Sequence, residues 1–167
     1  MRGLARSFAG RLVLGISVLL LAIASGHAQS SSKPDDDVQL GVWQLDLAKS
    51  RYYPGPPPKS ETRTFTRDKE GVKGTVVRQL ADGREERIEY RADFDKEYPV
   101  SGTDAYDAVK FRRIDAHTAD SVLSHAGRVF GVARRVISRD GTTMTITFKQ
   151  EEPGLGVSNV VVYQKVK

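Results

Sequence analysis

Arginines stand side by side at two places in the sequence, Arg112-Arg113 and Arg134-Arg135. Side chains alternate between the two faces of a strand, so one arginine of each pair must point inward wherever both lie in regular strand. A buried guanidinium needs an anionic partner, because an unpaired buried charge is costly. That partner is either an internal acid or the carboxylate or phosphate group of a bound molecule.

Neighbouring apolar residues indicate which arginines face inward. If Phe111 faces the interior, Arg113 does as well. If Phe130 and Val132 face the interior, Arg134 does as well. By the same count Arg78 shares the inner face of its own strand. The alternative is that these arginines lie at strand ends and face water.

Alternation is clearest over residues 84–94, where Glu86, Ile88, Tyr90 and Phe94 share one face. Charged residues occupy most of the other face, which predicts a strand with one buried and one solvated side. Glu86 lies on the inner face, so it is the internal acid that an inward arginine would pair with.

The same period at 142–150 places Met144, Ile146 and Phe148 on an inner face. Glycine- and aspartate-rich separators suit hairpins, and short connections favour antiparallel neighbours. Closing such a meander removes its exposed edges. The sequence therefore predicts an all-β antiparallel up-and-down meander of about eight to ten strands closed into a barrel, with a two-sheet sandwich as the alternative. The predicted strands lie near 40–46, 60–67, 72–80, 84–94, 107–114, 119–125, 128–139, 142–150 and 158–166.

Residue types for catalysis and metal binding are sparse. The chain has no cysteine, and after residue 28 the only histidines are His117 and His125. Two histidines without a third ligand do not define a zinc site. Paired carboxylates such as Glu85-Glu86 point to opposite faces of a strand, which prevents joint acid–base work. We predict no enzyme activity, no metal site and no cofactor.

The N-terminus has the pattern of a cleaved secretory signal peptide. Arg2, Arg6 and Arg11 precede an apolar core over residues 12–24, and small residues lead up to Ala28. This core is shorter than the roughly 20 residues that a membrane span needs. We expect cleavage after Ala28, no membrane span afterwards, and a periplasmic or secreted protein.

Loss of residues 1–28 lowers the net charge from +5 to +2 and leaves 139 residues, enough for one domain. This small charge and the lack of mixed basic and aromatic tracts argue against a nucleic-acid partner. Residues 29–39 predict a disordered polar arm, followed by a single barrel domain over 40–167. Within that domain, 110–139 hold seven basic and two acidic residues.

The first predicted strand carries Gly41-Val42-Trp43, and a proline-rich crossing over 54–58 follows it. With the meander behind them, these residues resemble the calycin group, which includes the lipocalins and, more weakly here, the fatty-acid-binding proteins. The stretch GVWQLDLAKSRYYPGPPPKSETRTF is closer still to an uncharacterised family of exported bacterial lipocalin-like proteins. The resemblance implies that Gly41 and Trp43 form a structural plug at one end of the barrel.

Two features depart from the patterns of these families. Lipocalins pack an arginine of the last strand across the tryptophan, whereas this chain offers only Lys165 and Lys167 there. Fatty-acid-binding proteins carry a helical lid after the first strand. Here residues 46–59 are too short for two helices and rich in proline, so we expect one helical turn within 47–52 and then an extended crossing.

The resemblance implies a carrier whose lumen takes a small apolar or amphipathic molecule, with an anionic head as one option. Fatty-acid-binding proteins hold acids with interior arginines in this way. The alternative is a non-enzymatic envelope or extracellular protein-binding module with a filled barrel, using 110–139 and the proline crossing as contact surfaces. The candidate ligand contacts are Arg78, Tyr90, Phe94, Phe111, Arg113, Arg134 and Phe148.

Overall fold

The computed structural model describes residues 37–151 and 156–166 of the chain. The predicted signal peptide, 1–28, and the predicted arm up to residue 36 lie outside these ranges. Within them there are eleven strands and one short 3-10 helix, Leu47–Lys49, and no helix there is long and apolar enough to cross a membrane. The strands are β1 (Gly41–Leu45), β2 (Arg51–Tyr53), β3 (Ser60–Asp68), β4 (Gly71–Gln79), β5 (Glu85–Arg91), β6 (Glu97–Ser101), β7 (Ala108–Arg113), β8 (Thr118–His125), β9 (Arg128–Ile137), β10 (Thr143–Gln150) and β11 (Ser158–Lys165).

The strands form a closed antiparallel meander. Strands β3 to β11 each pair with the next along the chain, and β1 joins β3 to β11, with Trp43 opposite Lys165. β2 continues the line of β1 along the same neighbour, where Tyr52 lies opposite Asn159. Ten strands therefore complete the ring, and β2 is a short addition to it. This confirms the predicted all-β barrel and excludes the two-sheet sandwich.

The period of two sets the inner face of most strands. In β5, Ile88 and Tyr90 are buried while the intervening Glu89 and Arg87 face outward, and in β10 Met144 is fully buried. The predicted inner faces of both strands are confirmed. The physical cause is that apolar side chains leave water on one side only of each strand.

Strand β9 departs from regular alternation. Opposite β8, the pairing shifts between Leu123–Gly131 and Ser124–Val129, so Phe130 is an extra residue in a β-bulge. A bulge resets which residues face inward beyond it. Phe130 faces the interior, but Val132 does not, because the inward positions that follow the bulge are offset by one residue from the regular count.

Two described strands fall outside the predicted set. β2 has only three residues, and β6 contains Pro99, which removes one backbone donor from the ladder. The predicted helical turn within 47–52 is confirmed over Leu47–Lys49 only. Residues from Arg51 onward are extended instead, because they pair with β11.

The turns after β3, β7 and β9 lie at one end of the barrel, which we term the closed end; the turns after β4 and β8 lie at the open end. Trp43 is 0% exposed at the closed end, and its indole Nε1 donates to the backbone oxygen of Gln39 at 2.8 Å. Lys165 Nζ lies 5.1 Å from the centroid of the Trp43 ring and donates to the backbone oxygen of Val38 at 3.3 Å.

The segment before β1 is folded against the closed end. Gln39 is buried, and Asp37 accepts from its side-chain amide at 2.8 Å and from Arg67 at 3.1 Å. Gly41, with a φ of 122°, turns the chain from this segment into β1. Residues 37–39 therefore pack against the closed end, where the backbone of Gln39 covers Trp43.

Candidate functional site

A cavity of about 260 Å³ lies inside the barrel. Aromatic rings form much of its wall in two groups. Tyr90 stacks on Phe111 with ring centroids 5.8 Å apart. The ring centroid of Phe130 lies 6.1 Å from that of Tyr106 and 5.9 Å from that of Phe148. The interior is therefore predominantly apolar, as is usual for small-molecule sites.

Two glycines let these rings lie against the wall. Gly74 is opposite Tyr90 in the β4–β5 ladder, and a Cβ atom at Gly74 would stand 2.5 Å from the Tyr90 ring. A Cβ atom at Gly131 would stand 2.6 Å from the Phe148 ring. Since both rings occupy space that a side chain would otherwise take, the centre of the barrel stays open.

Not all of the predicted ligand contacts reach this cavity. Phe94 and Arg113 lie beyond it toward the closed end, with the Arg113 guanidinium 4.3 Å from the centroid of the Phe94 ring. The side chain of Arg113 stays partly exposed because β7 ends at this residue. The predicted contacts that line the cavity are Arg78, Tyr90, Phe111 and Phe148.

The predicted inward orientation of Arg134 is wrong. Its side chain is 60% exposed and donates to Asp120 on the outer face of the barrel, with Nε 2.7 Å from Oδ1. The bulge at Phe130 is the cause, because it shifts the inner face of β9 by one residue. Arg135 points into the barrel instead.

Several cavity residues were not singled out from the sequence. Glu61, Arg63 and Tyr163 line the cavity, together with Tyr52 and Arg135. In β3, Glu61 and Arg63 alternate with threonines and share a face with the apolar Phe65. This pattern could have identified both residues as facing the interior. The position of Arg135 could not have been found in this way, because nothing in the local pattern announces the bulge.

Glu61 is the centre of a satisfied polar cluster. Its carboxylate is only 4% exposed, and it accepts from Arg63 Nε at 2.7 Å and from the Tyr163 hydroxyl at 2.6 Å. Arg63 Nε also donates to the Tyr163 oxygen at 3.0 Å. Burial, and then the adjacent Glu61 carboxylate, raises the pKa of Tyr163 well above its usual range. Tyr163 is therefore a neutral donor that stabilises the buried carboxylate.

Arg78 is neutralised by protein groups. It contacts Glu86 across the β4–β5 ladder at 2.6 Å, and its Nη1 lies 4.0 Å from the second oxygen of Glu61. The predicted internal partnership between Glu86 and an inward arginine is therefore confirmed. Because Arg78 already has a close carboxylate partner, it is a weak anchor for a second anion.

Arg135 has no such partner. The residue is 8% exposed, with its guanidinium 5.4 Å from the centroid of Phe65 and 5.9 Å from that of Phe111. Its Nε has no hydrogen-bond acceptor, and no carboxylate lies within 4.0 Å, among the residues that the structure describes. Burial lowers the pKa of Arg135 to about 10, so the group is still cationic at neutral pH. A desolvated cation in this state attracts an anion strongly.

A second buried polar group also lacks a partner. Within the described part of the chain, no group bonds to the hydroxyl of Tyr52. Burial, with the negative charge of Glu61, raises the pKa of Tyr52 to about 12, and burial likewise raises that of Tyr106 to about 12. Both phenols are neutral at pH 7 and can donate or accept a hydrogen bond.

The charges around the cavity leave one positive charge unmatched. Arg63 and Arg78 are balanced by Glu61 and Glu86. Arg135 has no carboxylate within 4.0 Å in the described ranges, and the charge of Asp37 acts on it only from farther away. An apolar chamber with one unpaired guanidinium suits a small amphipathic anion.

Groups suited to metal chemistry are not assembled here. In the ranges 37–151 and 156–166, no three His, Asp or Glu side chains come together as a metal site. His117 lies in the turn after β7, where its backbone donates to Asp115 at 2.7 Å, and His125 ends β8 at the open end.

The closed ten-strand antiparallel meander is compatible with a lipocalin-like fold. Comparisons with protein-family models, curated proteins and solved structures give no match for this chain.

Proposed function

We propose that the protein is an exported, non-enzymatic lipocalin-like barrel that binds a small amphipathic anion in its cavity. Arg135 is the group that holds the negative charge, and the rings of the cavity wall cover the apolar part of the ligand. Arg78 has a structural role in this proposal, since Glu86 and Glu61 already balance it.

The observation that carries the proposal is the buried, unpartnered guanidinium of Arg135. Burying such a group without a counter-charge destabilises the folded state, whereas a bound carboxylate or phosphate would offset that cost. The cavity lies directly beside Arg135, and its aromatic wall adds apolar contact area.

Export and family membership belong to the same proposal. The leader with Arg2, Arg6 and Arg11, its apolar core and its small-residue end at Ala28 support a periplasmic or secreted protein. The Gly41-Val42-Trp43 start supports membership of the exported lipocalin-like family. After expression with the native leader, an intact mass equal to that of a chain that begins at Gln29 would support export.

Native mass spectrometry of protein purified from a periplasmic expression host tests the binding function. We expect an additional mass that disappears on organic extraction and is identified as a small acid. Arg135→Met should lose this mass, and Arg134→Met, a change to the neighbouring outward side chain, should keep it. A bare polypeptide, with no uptake from a panel of acids, would contradict the proposal.

A protein-binding module is the second candidate. The outer surface of β7 to β10 exposes Val122 and Val136 beside the cations Lys110, Arg112 and Arg134. Apolar area rimmed by charge is typical of contact surfaces. Recovery of a specific envelope protein in pull-downs, combined with a bare mass in the preceding experiment, would favour this candidate.

A further inference from the structure

The size of the cavity limits the ligand. An engineered apolar cavity of about 150 Å³ accepts benzene, and scaling this to 260 Å³ gives space for about ten non-hydrogen atoms. Drug-sized pockets start at about 300 Å³. A long-chain fatty acid is therefore too large to be enclosed, whereas a single ring with one or two substituents fits.

The wall favours a flat ligand. Tyr90 and Phe111 form one stacked pair, and Phe130 lies between Tyr106 and Phe148 in a second group. Aromatic faces attract a further ring by offset stacking or edge contacts beyond simple area burial. An alkyl chain of equal size would gain only the area term.

Two of the described residues that line the cavity, Arg135 and Tyr52, carry an unpartnered polar group, and they lie toward opposite ends of the cavity. Arg135 is two residues before the end of β9, next to the closed end. Tyr52 is opposite Asn159, near the start of β11 and next to the open end. In the described ranges neither Arg135 Nε nor the Tyr52 hydroxyl has a protein partner, and both side chains line the cavity, so a ligand there could supply the missing partners.

We infer that the ligand is a compact aromatic carboxylic acid with a second polar substituent on the far side of its ring. This inference rests on the proposed binding function and deepens it. The carboxylate binds Arg135 near the closed end, the ring lies among the aromatic side chains, and the second substituent hydrogen-bonds to Tyr52. A site built in this way disfavours an analogue that leaves its buried hydroxyl unpaired.

Isothermal titration calorimetry of the protein, refolded after organic extraction, tests this inference. The probes are para-hydroxybenzoate, benzoate, octanoate (which matches para-hydroxybenzoate in non-hydrogen atoms) and hexadecanoate. We expect para-hydroxybenzoate to bind at least about tenfold more tightly than benzoate or octanoate. Hexadecanoate should not compete with para-hydroxybenzoate for the cavity. Arg135→Met should abolish binding, with Arg134→Met as the control.

A matched pair of tyrosine variants tests the second contact. Tyr52→Phe should remove the preference for para-hydroxybenzoate over benzoate. Tyr53→Phe, which changes the exposed neighbouring residue, should retain it. Equal affinities of the two acids for the unmodified protein would overturn the assignment of Tyr52.

The remaining outcomes separate this inference from the proposed function. Arg135-dependent binding of octanoate or hexadecanoate in preference to the aromatic acids would overturn the inference and leave the proposed function standing. No binding of any acid to a protein with native circular dichroism would overturn both.

Discussion

Arg134 and Arg135 are neighbours in the chain and opposite in environment. Arg134 is solvent-exposed and bonded to Asp120, whereas Arg135 is buried beside Phe65 and Phe111 with no carboxylate within 4.0 Å in the described ranges. The first arrangement is ordinary for a surface strand. The second lowers the stability of the unliganded fold, which is the reason that the proposed anion is placed against Arg135.

Replacing Arg135 should make the unliganded protein more stable. Arg135→Met removes a buried unpaired charge and leaves an apolar side chain that packs well against aromatic rings. We expect the free energy of unfolding to rise by about 1–3 kcal/mol. Urea denaturation followed by Trp43 fluorescence measures this change.

Arg134→Met is the matched control for stability. Because this side chain is solvent-exposed, its loss should not stabilise the fold. If Arg135→Met instead destabilised the protein as much as a core truncation does, Arg135 would be a packing residue rather than a site for an anion.

At the scale of the strands, β7, β8 and β9 are joined on their outer face by one carboxylate. Asp120 accepts from Arg134 at 2.7 Å and from Arg112 at 3.1 Å. The hydrogen bond from Arg134 is the main cause of the lowered pKa of Asp120, and Arg112 contributes further. The pairing therefore depends on an ionised carboxylate.

This dependence predicts an acid-sensitive contribution to stability. A depressed folded-state pKa stabilises the fold above the unfolded value of about 3.9, and the contribution is lost as the pH falls through the folded value. Asp120→Asn should therefore lower the free energy of unfolding at pH 7. Below about pH 4, the free energy of unfolding of this variant should fall less steeply than that of the unmodified protein. Urea denaturation at a series of pH values measures this, with Asp104→Asn at an exposed loop as the control.

If the free energies of unfolding of the unmodified protein and of Asp120→Asn fell in parallel as the pH was lowered, the Asp120 carboxylate would make no net contribution to stability. The expected difference is small, since the arginine partners are well solvated.

The strands also show how far the sequence alone leads. The regular alternation in β5 and β10 was sufficient to predict Tyr90 and Phe148 on the inner face, because a period of two leaves no ambiguity there. The alternation failed to predict the orientations in β9, because the extra residue at Phe130 turns Arg135 inward and Arg134 outward. Bulges depend on pairing with another strand, so local sequence carries little information about them.

For the whole molecule, the wall of the barrel is uneven. β3 and β4 pair along their full length from Ser60 to Asp68, whereas β5 meets β6 at only Tyr90 and Glu89. The connection from β6 to β7 carries Tyr106 to the open end of the cavity. The thinnest part of the wall is thus next to the site.

Hydrogen exchange should reflect this unevenness. Amides of β6 should exchange fastest among the ring strands, because few ladder hydrogen bonds must open there, and amides in the centre of β3 and β4 should exchange slowest. Exchange followed by mass spectrometry or NMR measures the order. Equal protection of β6 and β3 would show that the wall opens only as a unit.

The most direct test of the account is the NMR signal of the Arg135 Nε–Hε group, assigned with the Arg135→Met and Arg134→Met variants. We predict that titration with para-hydroxybenzoate or octanoate shifts the Arg135 signal as its unpartnered Nε–H gains an acceptor, while the Arg134 signal stays in place. An Arg135 signal that no acid of the panel moves would contradict the claim that this barrel binds an anion.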